Sequence, residues 1–350
     1  MNASNLSNAV FSEEKLRNDT CFFLPQAAFD KIHQRYNSNL VTAIINMVFA
    51  PVAVTANSIL ACVVFRNASL RKPSTFLLGC LAVCDFLVGL LVQPSYVAFR
   101  FFENLKQFVP CSVRMMYSTG FYVCYGVSFM TLSAISCERY VALTLHLRYK
   151  ELVTTRRVLA LVVLIWAIDL LLTGLQWAGI NKIVRGILLA LWCSCILISI
   201  IVHCGIIRIV RRHQKLIKEQ QQASSTRYRR QTKLAMNIAY IVAIYFLFNI
   251  PVLCVTIYHQ IGSGALESYA FYNWSETIAL CNSSINPFVC CWKSRDIRKT
   301  LIKTFRKGLC NVELRAEEES ATSGAGNKSK DPATGNRDDR KYVTQYCHAT

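Results

Sequence analysis

SVRMMYSTGFYVCYGVSFMTLSAISCERYVA, residues 112–142, is an apolar run that closes on three residues of another kind, Glu138-Arg139-Tyr140. A helix rises about 1.5 Å per residue, so about 20 apolar residues cross the hydrocarbon of a bilayer. A charge at mid-bilayer costs on the order of 2.5 to 3.5 kcal/mol on insertion scales. An acid and a guanidinium kept where such a helix meets water therefore have a partner or a task.

Six further runs of similar length lie at about 40–65, 74–98, 157–178, 183–209, 234–259 and 269–291. They are continuous, without the short polar/apolar alternation of a barrel strand, and a backbone in hydrocarbon must satisfy its own hydrogen bonds. The expectation is an all-α membrane protein, a seven-transmembrane helix bundle. Composition agrees: of 350 residues 53% are hydrophobic and only 17% charged, an apolar excess over soluble domains.

The net charge of +19 would suggest nucleic acid in a soluble chain, but the cations cluster between alternate runs. Arg66, Arg71 and Lys72 follow the first; Arg148, Lys150, Arg156 and Arg157 follow the third; Arg208, Arg211, Arg212 and Lys215 follow the fifth. Such loops stay in the cytoplasm, which puts the amino terminus outside and the carboxyl terminus inside. No nucleic-acid partner is expected. The first forty residues are polar and lack the basic-then-apolar layout of a cleaved signal, so the first span is expected to serve as its own signal.

Three regions follow. Residues 1–38 form an extracellular segment with glycosylation acceptors at Asn2, Asn5 and Asn18, and residues 39–308 form the bundle with a short amphipathic cytoplasmic helix. Residues 309–350 are a polar tail with too little apolar material to fold. Cys310 behind the amphipathic helix is a palmitoylation candidate, the other reading being an unmodified thiol. Most of the 16 cysteines lie within the apolar runs, where buried free thiols are the default, and no spacing suits a zinc cage.

Polar residues at membrane depth carry the information in such a chain. Asp85 lies in mid-span 2; Asn282, Ser283 and Asn286 share a face of span 7; Asn57 and Ser128 are further candidates for the same interior. Carboxylate, hydroxyl and amide oxygens together suit a small monovalent cation, and equally a hydrated cluster that joins helices. Pro251 and Pro287 predict kinks in spans 6 and 7. No nucleophile-and-base set or phosphate loop has workable spacing, so no catalytic residue and no enzyme is expected.

The chain resembles a rhodopsin-like (class A) G-protein-coupled receptor over roughly residues 35–310. The resemblance rests on Asn57, Leu81-Ala82-x-x-Asp85, Glu138-Arg139-Tyr140, Trp166, Pro251 and Asn286-Pro287 in that order, with 28 residues between Asn57 and Asp85 and 27 between Arg139 and Trp166. It implies a plasma-membrane receptor that binds an unidentified extracellular ligand and activates a heterotrimeric G protein. It further implies an allosteric sodium ion at Asp85, Ser128, Asn282, Ser283 and Asn286, with no other cofactor. G-protein coupling falls to Glu138, Arg139 and Tyr140, with arrestin and a receptor kinase on the tail and membrane lipid around the bundle. The alternative is a non-signalling decoy or chaperone-like protein on the same fold.

Departures from the family pattern sharpen the reading. Asn249 stands where span 6 usually has Trp, Cys290 where span 7 has Tyr, and His203 where span 5 has Tyr. Span 5 has no proline, and the loop before it, around Gly179 to Lys182, is short and lacks the usual cysteine. Cys111 at the top of span 3 is left to pair with Cys21, to take another partner or to stay free. These features are most like the melanocortin, lysophospholipid, cannabinoid and adenosine receptor group.

For the ligand, Phe121 replaces the aspartate of amine receptors and Leu280 the retinal lysine of opsins, which disfavours both chemistries. Phe121, Tyr125, Asn249, His259, Tyr272 and Glu276 are the pocket candidates. Glu276 either receives a cationic group or faces interfacial water. Arg114 either meets an anionic group or snorkels to the surface.

Overall fold

The computed structural model describes Cys21, Leu24 and residues 32–306, apart from 71, 107, 146–147, 179, 221–225, 262–268 and 305. The leader acceptors Asn2, Asn5 and Asn18, the side chain of His259, Cys310 and the tail 309–350 lie outside the described residues. Seven long helices follow in order: α1 (Ile32–Arg66), α2 (Pro73–Asn104), α3 (Cys111–Thr144), α4 (Thr155–Trp177), α5 (Asn181–Gln220), α6 (Thr226–Ile261) and α7 (Tyr269–Lys293). Among the described residues there is no strand, only an isolated pairing of Cys21 with Leu24.

Six of these helices, α1 to α6, are long and apolar enough to cross a membrane. The seventh is not among them, for a physical reason. On α7 the residues Asn273, Ser275, Glu276, Thr277, Asn282, Ser283 and Asn286 are all buried, while Phe271, Trp274, Ile278, Phe288 and Trp292 are exposed. The exposed set is spaced by three, four, ten and four residues, each close to a whole number of helical turns, a stripe on one helix face. The apolar side of α7 faces outward and its polar side faces the other helices, an inversion of a soluble helix that lowers its mean hydropathy.

Helix boundaries run past the apolar runs read from the sequence. The first helix starts at Ile32 and the second continues to Asn104, because hydropathy marks the hydrocarbon and not the end of hydrogen bonding. Within α2 the N–H of Gln93 bonds the carbonyl of Val88, five residues back. Pro94 follows directly and has no N–H to give, so the ladder widens for one turn ahead of it. Gly89 in that turn brings α2 against α1: a Cβ there would lie 2.7 Å from Ala53 Cβ and 3.0 Å from the Ala50 carbonyl oxygen.

The third helix is the hub, packed against α2, α4, α5 and α6, while α7 packs on α1 and α6. Of the apolar stretch of α3 72% is buried, against 22% in α4, which makes α3 the core and α4 a lipid-facing wall. Thr154 caps α4, its hydroxyl accepting from the Arg157 N–H at 3.4 Å. The chain divides into two units, Met1–Lys293 and Ser294–Thr350. In the second, Ser294 Oγ accepts the Ile297 N–H at 3.4 Å, starting a helix α8 over 295–304.

Candidate functional site

At the end of α3 that holds Arg139, the guanidinium donates through Nε and Nη2 to the two carboxylate oxygens of Glu138. The hydroxyl of Tyr149, on the helical turn Tyr149–Leu152, donates to the same carboxylate. Glu138 and Arg139 are 6% and 3% exposed, and a buried charge pair of this kind is stable only with its lone pairs occupied. Burial, and after it the Glu138 charge, push the Tyr149 phenol above the ordinary tyrosine pKa, so it remains a donor. Tyr140 lays its ring over Gly205 of α5. Next to this cluster Leu143, Ile206, Val210 and Ala235 pack α3, α5 and α6 together, leaving the arginine enclosed.

In the middle of the bundle Asp85 accepts a hydrogen bond from Asn286 Nδ2 at 2.8 Å and another from the Ser283 hydroxyl. Pro287 has no N–H for the carbonyl four residues back, that of Ser283. Asn57 of α1 supplies the missing donor, its Nδ2 lying 2.9 Å from that oxygen. The hydroxyl of Ser128 turns to Cys84 Sγ at 3.5 Å. Asn282 Oδ1 is buried and has no hydrogen-bond partner among the described residues. Asp85, Ser128, Asn282 and Ser283 line a cavity of about 20 Å³, space for roughly one water-sized sphere. The same cavity reaches Phe121, Tyr125 and Asn249, so three of the six predicted ligand residues share one space with the deep polar residues, whereas Tyr272 and Glu276 do not line it.

Asn249 does not replace the family's tryptophan as a ring. Its Nδ2 donates to the Tyr245 carbonyl at 2.7 Å, and its own carbonyl accepts from the Tyr125 hydroxyl at 3.0 Å. The aromatic mass comes from α3 and α5. Trp192, 1% exposed, meets Tyr125 edge-on at 4.8 Å between centroids, and Phe129 meets Tyr245 at 5.4 Å. Phe121 stacks on Tyr125 at 5.2 Å, completing a column from the outer cleft to α6.

At the end that holds Cys21, a buried chain of charges joins α1, α2 and α7. Arg35 pairs with Glu103 at 3.1 Å, Glu103 with Arg100 at 3.0 Å, and Arg100 with Glu276 at 3.1 Å. The Arg100 guanidinium also stacks over Tyr96, 4.9 Å from its centroid, and the Tyr272 hydroxyl bonds Glu276. Asn39 donates to Glu103 at 3.0 Å and accepts from Asn273. Glu276 thus receives a cation, but the cation belongs to this chain, and at 2% exposure it does not face interfacial water. Arg114 neither snorkels nor stands open: it is 2% exposed and donates to the Leu24 carbonyl at 3.2 Å. Cys21 and Cys111 are joined as a disulfide, their Cα atoms 5.3 Å apart, which fixes the leader to the first residue of α3.

Sequence reasoning passed over several of these groups. Arg35 falls within the segment 1–38, and Arg100 and Glu103 lie beyond the apolar run at 74–98. Asp169 was within reach of the rule that found Asp85: it is an acid at depth in span 4, fully buried over Gly126, where a Cβ would collide with it. Both its carboxylate oxygens lack hydrogen-bond partners among the described residues, as do Thr173 Oγ1 and Gln176 Nε2 further along the same helix.

A seven-helix membrane bundle with a buried Glu-Arg pair at one end and a buried chain of charges at the other is the architecture of a receptor. Residues 56–185 and 181–289 match the 7 transmembrane receptor (rhodopsin family), and the chain belongs to that family. It is 23% identical over 313 residues to adenosine receptor A2b of Gallus gallus, a match covering 77% of this chain and 89% of that one. It is 25% identical over 260 residues to melanocortin receptor 5 of Bos taurus, covering 71% and 79%. The Ovis aries form of that receptor is 25% identical over 263 residues, covering 71% and 79%. The protein is a G-protein-coupled receptor, a multi-pass plasma-membrane protein whose partners are an extracellular ligand and a G protein.

Proposed function

We propose that the ligand enters between the Cys21 end of the bundle and the Asp85 layer, and that the G protein docks at the Arg139 end. The amino terminus then lies outside the cell and the carboxyl terminus in the cytoplasm. The observation that carries this reading is the buried Glu138, Arg139 and Tyr149 cluster beside the packed ends of α3, α5 and α6. An outward swing of α6 parts Ala235 from Leu143 and Ile206, opens a cleft and releases the guanidinium toward the G protein. A ligand drives the swing only by binding the open arrangement better than the closed one.

The same reading gives Asp85, Ser128, Asn282, Ser283 and Asn286 to an allosteric sodium ion. A carboxylate, an unpartnered amide oxygen and room for one small sphere suit a monovalent cation, which when bound supplies the positive charge that Asp85 lacks. The polar tail is the place for arrestin and a receptor kinase, and the bundle works in contact with membrane lipid. No catalytic role is assigned to any residue. The non-signalling alternative has no observation in its favour.

The test is nucleotide exchange on purified G proteins by receptor in nanodiscs, wild type against Arg139→Ala and Asp85→Asn, with and without 150 mM sodium (about physiological ionic strength). Arg139→Ala is expected to abolish exchange. Exchange by the wild type is expected to fall with sodium, and Asp85→Asn to lose that response. Exchange that does not depend on Arg139 overturns the coupling reading, and a sodium response that survives Asp85→Asn overturns the ion site.

A further inference from the structure

Between the halves of α5 and α6 nearest the Arg139 end there is a second cavity, about 410 Å³, lined on one side by Ser199, His203 and Ile207 and on the other by Met236, Ala243 and Phe246. That is the size of a small-molecule site. It opens through the outer wall of the bundle, where Ile200 and Tyr240, about half exposed, flank it. Both helices are among those apolar enough to cross a membrane, so the opening faces lipid and not water.

Apart from Tyr240 at the opening, the walls are polar at one place. His203 Nδ1 lies 2.7 Å from the Ser199 carbonyl oxygen, which only accepts, so Nδ1 carries the proton and the Nε2 of the neutral ring is left as an acceptor. That Nε2 and Ser199 Oγ are both buried and have no hydrogen-bond partner among the described residues, and Ser199 is 1% exposed. Leaving such groups unmade in hydrocarbon is costly. One acceptor and one hydroxyl, four residues apart on one helix face, match a single alcohol group. Its O–H gives to the ring and its oxygen takes from the serine. No residue lining the cavity offers a counter-charge for an ionised head group.

We propose that this cavity binds a neutral membrane lipid bearing one hydroxyl, held by His203 Nε2 and Ser199 Oγ with its apolar body along α6. The cavity lies beside the packing of Ile206 and Val210 on Ala235, the contact that closes the arginine end, and it exists in the closed arrangement. An occupant that fits it as it stands favours that arrangement, and by linkage it lowers basal activation. This last step rests on the receptor reading given above; the binding itself does not.

A photoreactive, clickable cholesterol analogue tests the binding on the full chain in phosphatidylcholine nanodiscs, with labelled peptides located by mass spectrometry. Labelling is expected on 199–207 and 236–246, with competition by excess cholesterol or by oleyl alcohol. Whichever competes better identifies a ring or a chain as the body. Cholestane, which lacks the hydroxyl, is expected not to compete. Ser199→Ala and His203→Phe should each weaken labelling roughly three- to tenfold, the worth of one hydrogen bond. Ala243→Phe, which keeps both polar groups and fills the space, should abolish it. Labelling spread evenly over the helices, equal competition by cholestane, or full labelling of Ala243→Phe overturns the site. In the same discs cholesterol should reduce Arg139-dependent nucleotide exchange in the wild type and not in Ala243→Phe. Labelling at the site without that reduction overturns the link to α6, whereas exchange that ignores Arg139 strikes the receptor reading and leaves the labelling result standing.

Discussion

Arg100 and Asp169 are both ionisable residues enclosed by helices, and their surroundings predict opposite consequences of removal. Arg100 neutralises two carboxylates at once. Arg100→Met leaves Glu103 with Arg35 alone and Glu276 without a cation, and breaking a buried pair in this way costs about 3 to 5 kcal/mol. The variant should unfold at markedly lower temperature in detergent, and adding Glu276→Gln should recover part of the loss. Asp169 has no hydrogen-bond partner for either carboxylate oxygen among the described residues. Asp169→Ala removes a group whose burial is uncompensated, and melting of the purified receptor should shift upward, by about 1 to 3 kcal/mol of stability. A lower melting temperature for Asp169→Ala would reveal a partner that the acid serves.

Helix by helix, the pattern of apolarity located all seven elements, because the bilayer imposes one dimension of selection that a sequence displays directly. The run at 269–291 is the helix α7, but which of its sides is buried was not visible, since a helix with its polar side buried averages its two faces away. What the sequence could not display was pairing. Asn57 was legible as a polar residue in span 1, but its task, replacing the donor that Pro287 denies to the Ser283 carbonyl, exists only once α1 lies on α7. Asn57→Ala should orphan that carbonyl, cost about 1 to 3 kcal/mol, and speed amide exchange in α7 around Asn282 to Asn286. The Tyr149 turn makes the same point at the other end. Its phenol gives the Glu138 carboxylate a second donor, so Tyr149→Phe should loosen the pair and raise basal nucleotide exchange about tenfold, the worth of one charge-assisted hydrogen bond at its lower end. Unchanged basal exchange in Tyr149→Phe would mean that Glu138 alone holds the arginine.

Across the whole molecule α3 is the strut between the two ends. Cys111 begins it and Arg139 lies 28 positions later, about 42 Å along a straight helix. The link from α4 to α5 spans only 178–180, too short to cover the cleft, and it has no cysteine to anchor a cover. At that end the leader is tied at Cys21 to Cys111 across a sequence separation of 90 and held again where Arg114 meets the Leu24 carbonyl. Closing a loop of that length stabilises a chain by about 4 to 5 kcal/mol on the unfolded-state account. A double variant, Cys21→Ser with Cys111→Ser, should therefore reach the surface in lower amounts and melt earlier, and its leader should be cut by protease sooner than that of the wild type. Basal exchange per folded receptor should be unchanged, because the arginine cluster at the far end of α3 makes no contact with the bridge. If basal exchange per folded receptor instead rises when the bridge is removed, the leader restrains α3 itself, and the two ends of the molecule are coupled through the strut even without a ligand.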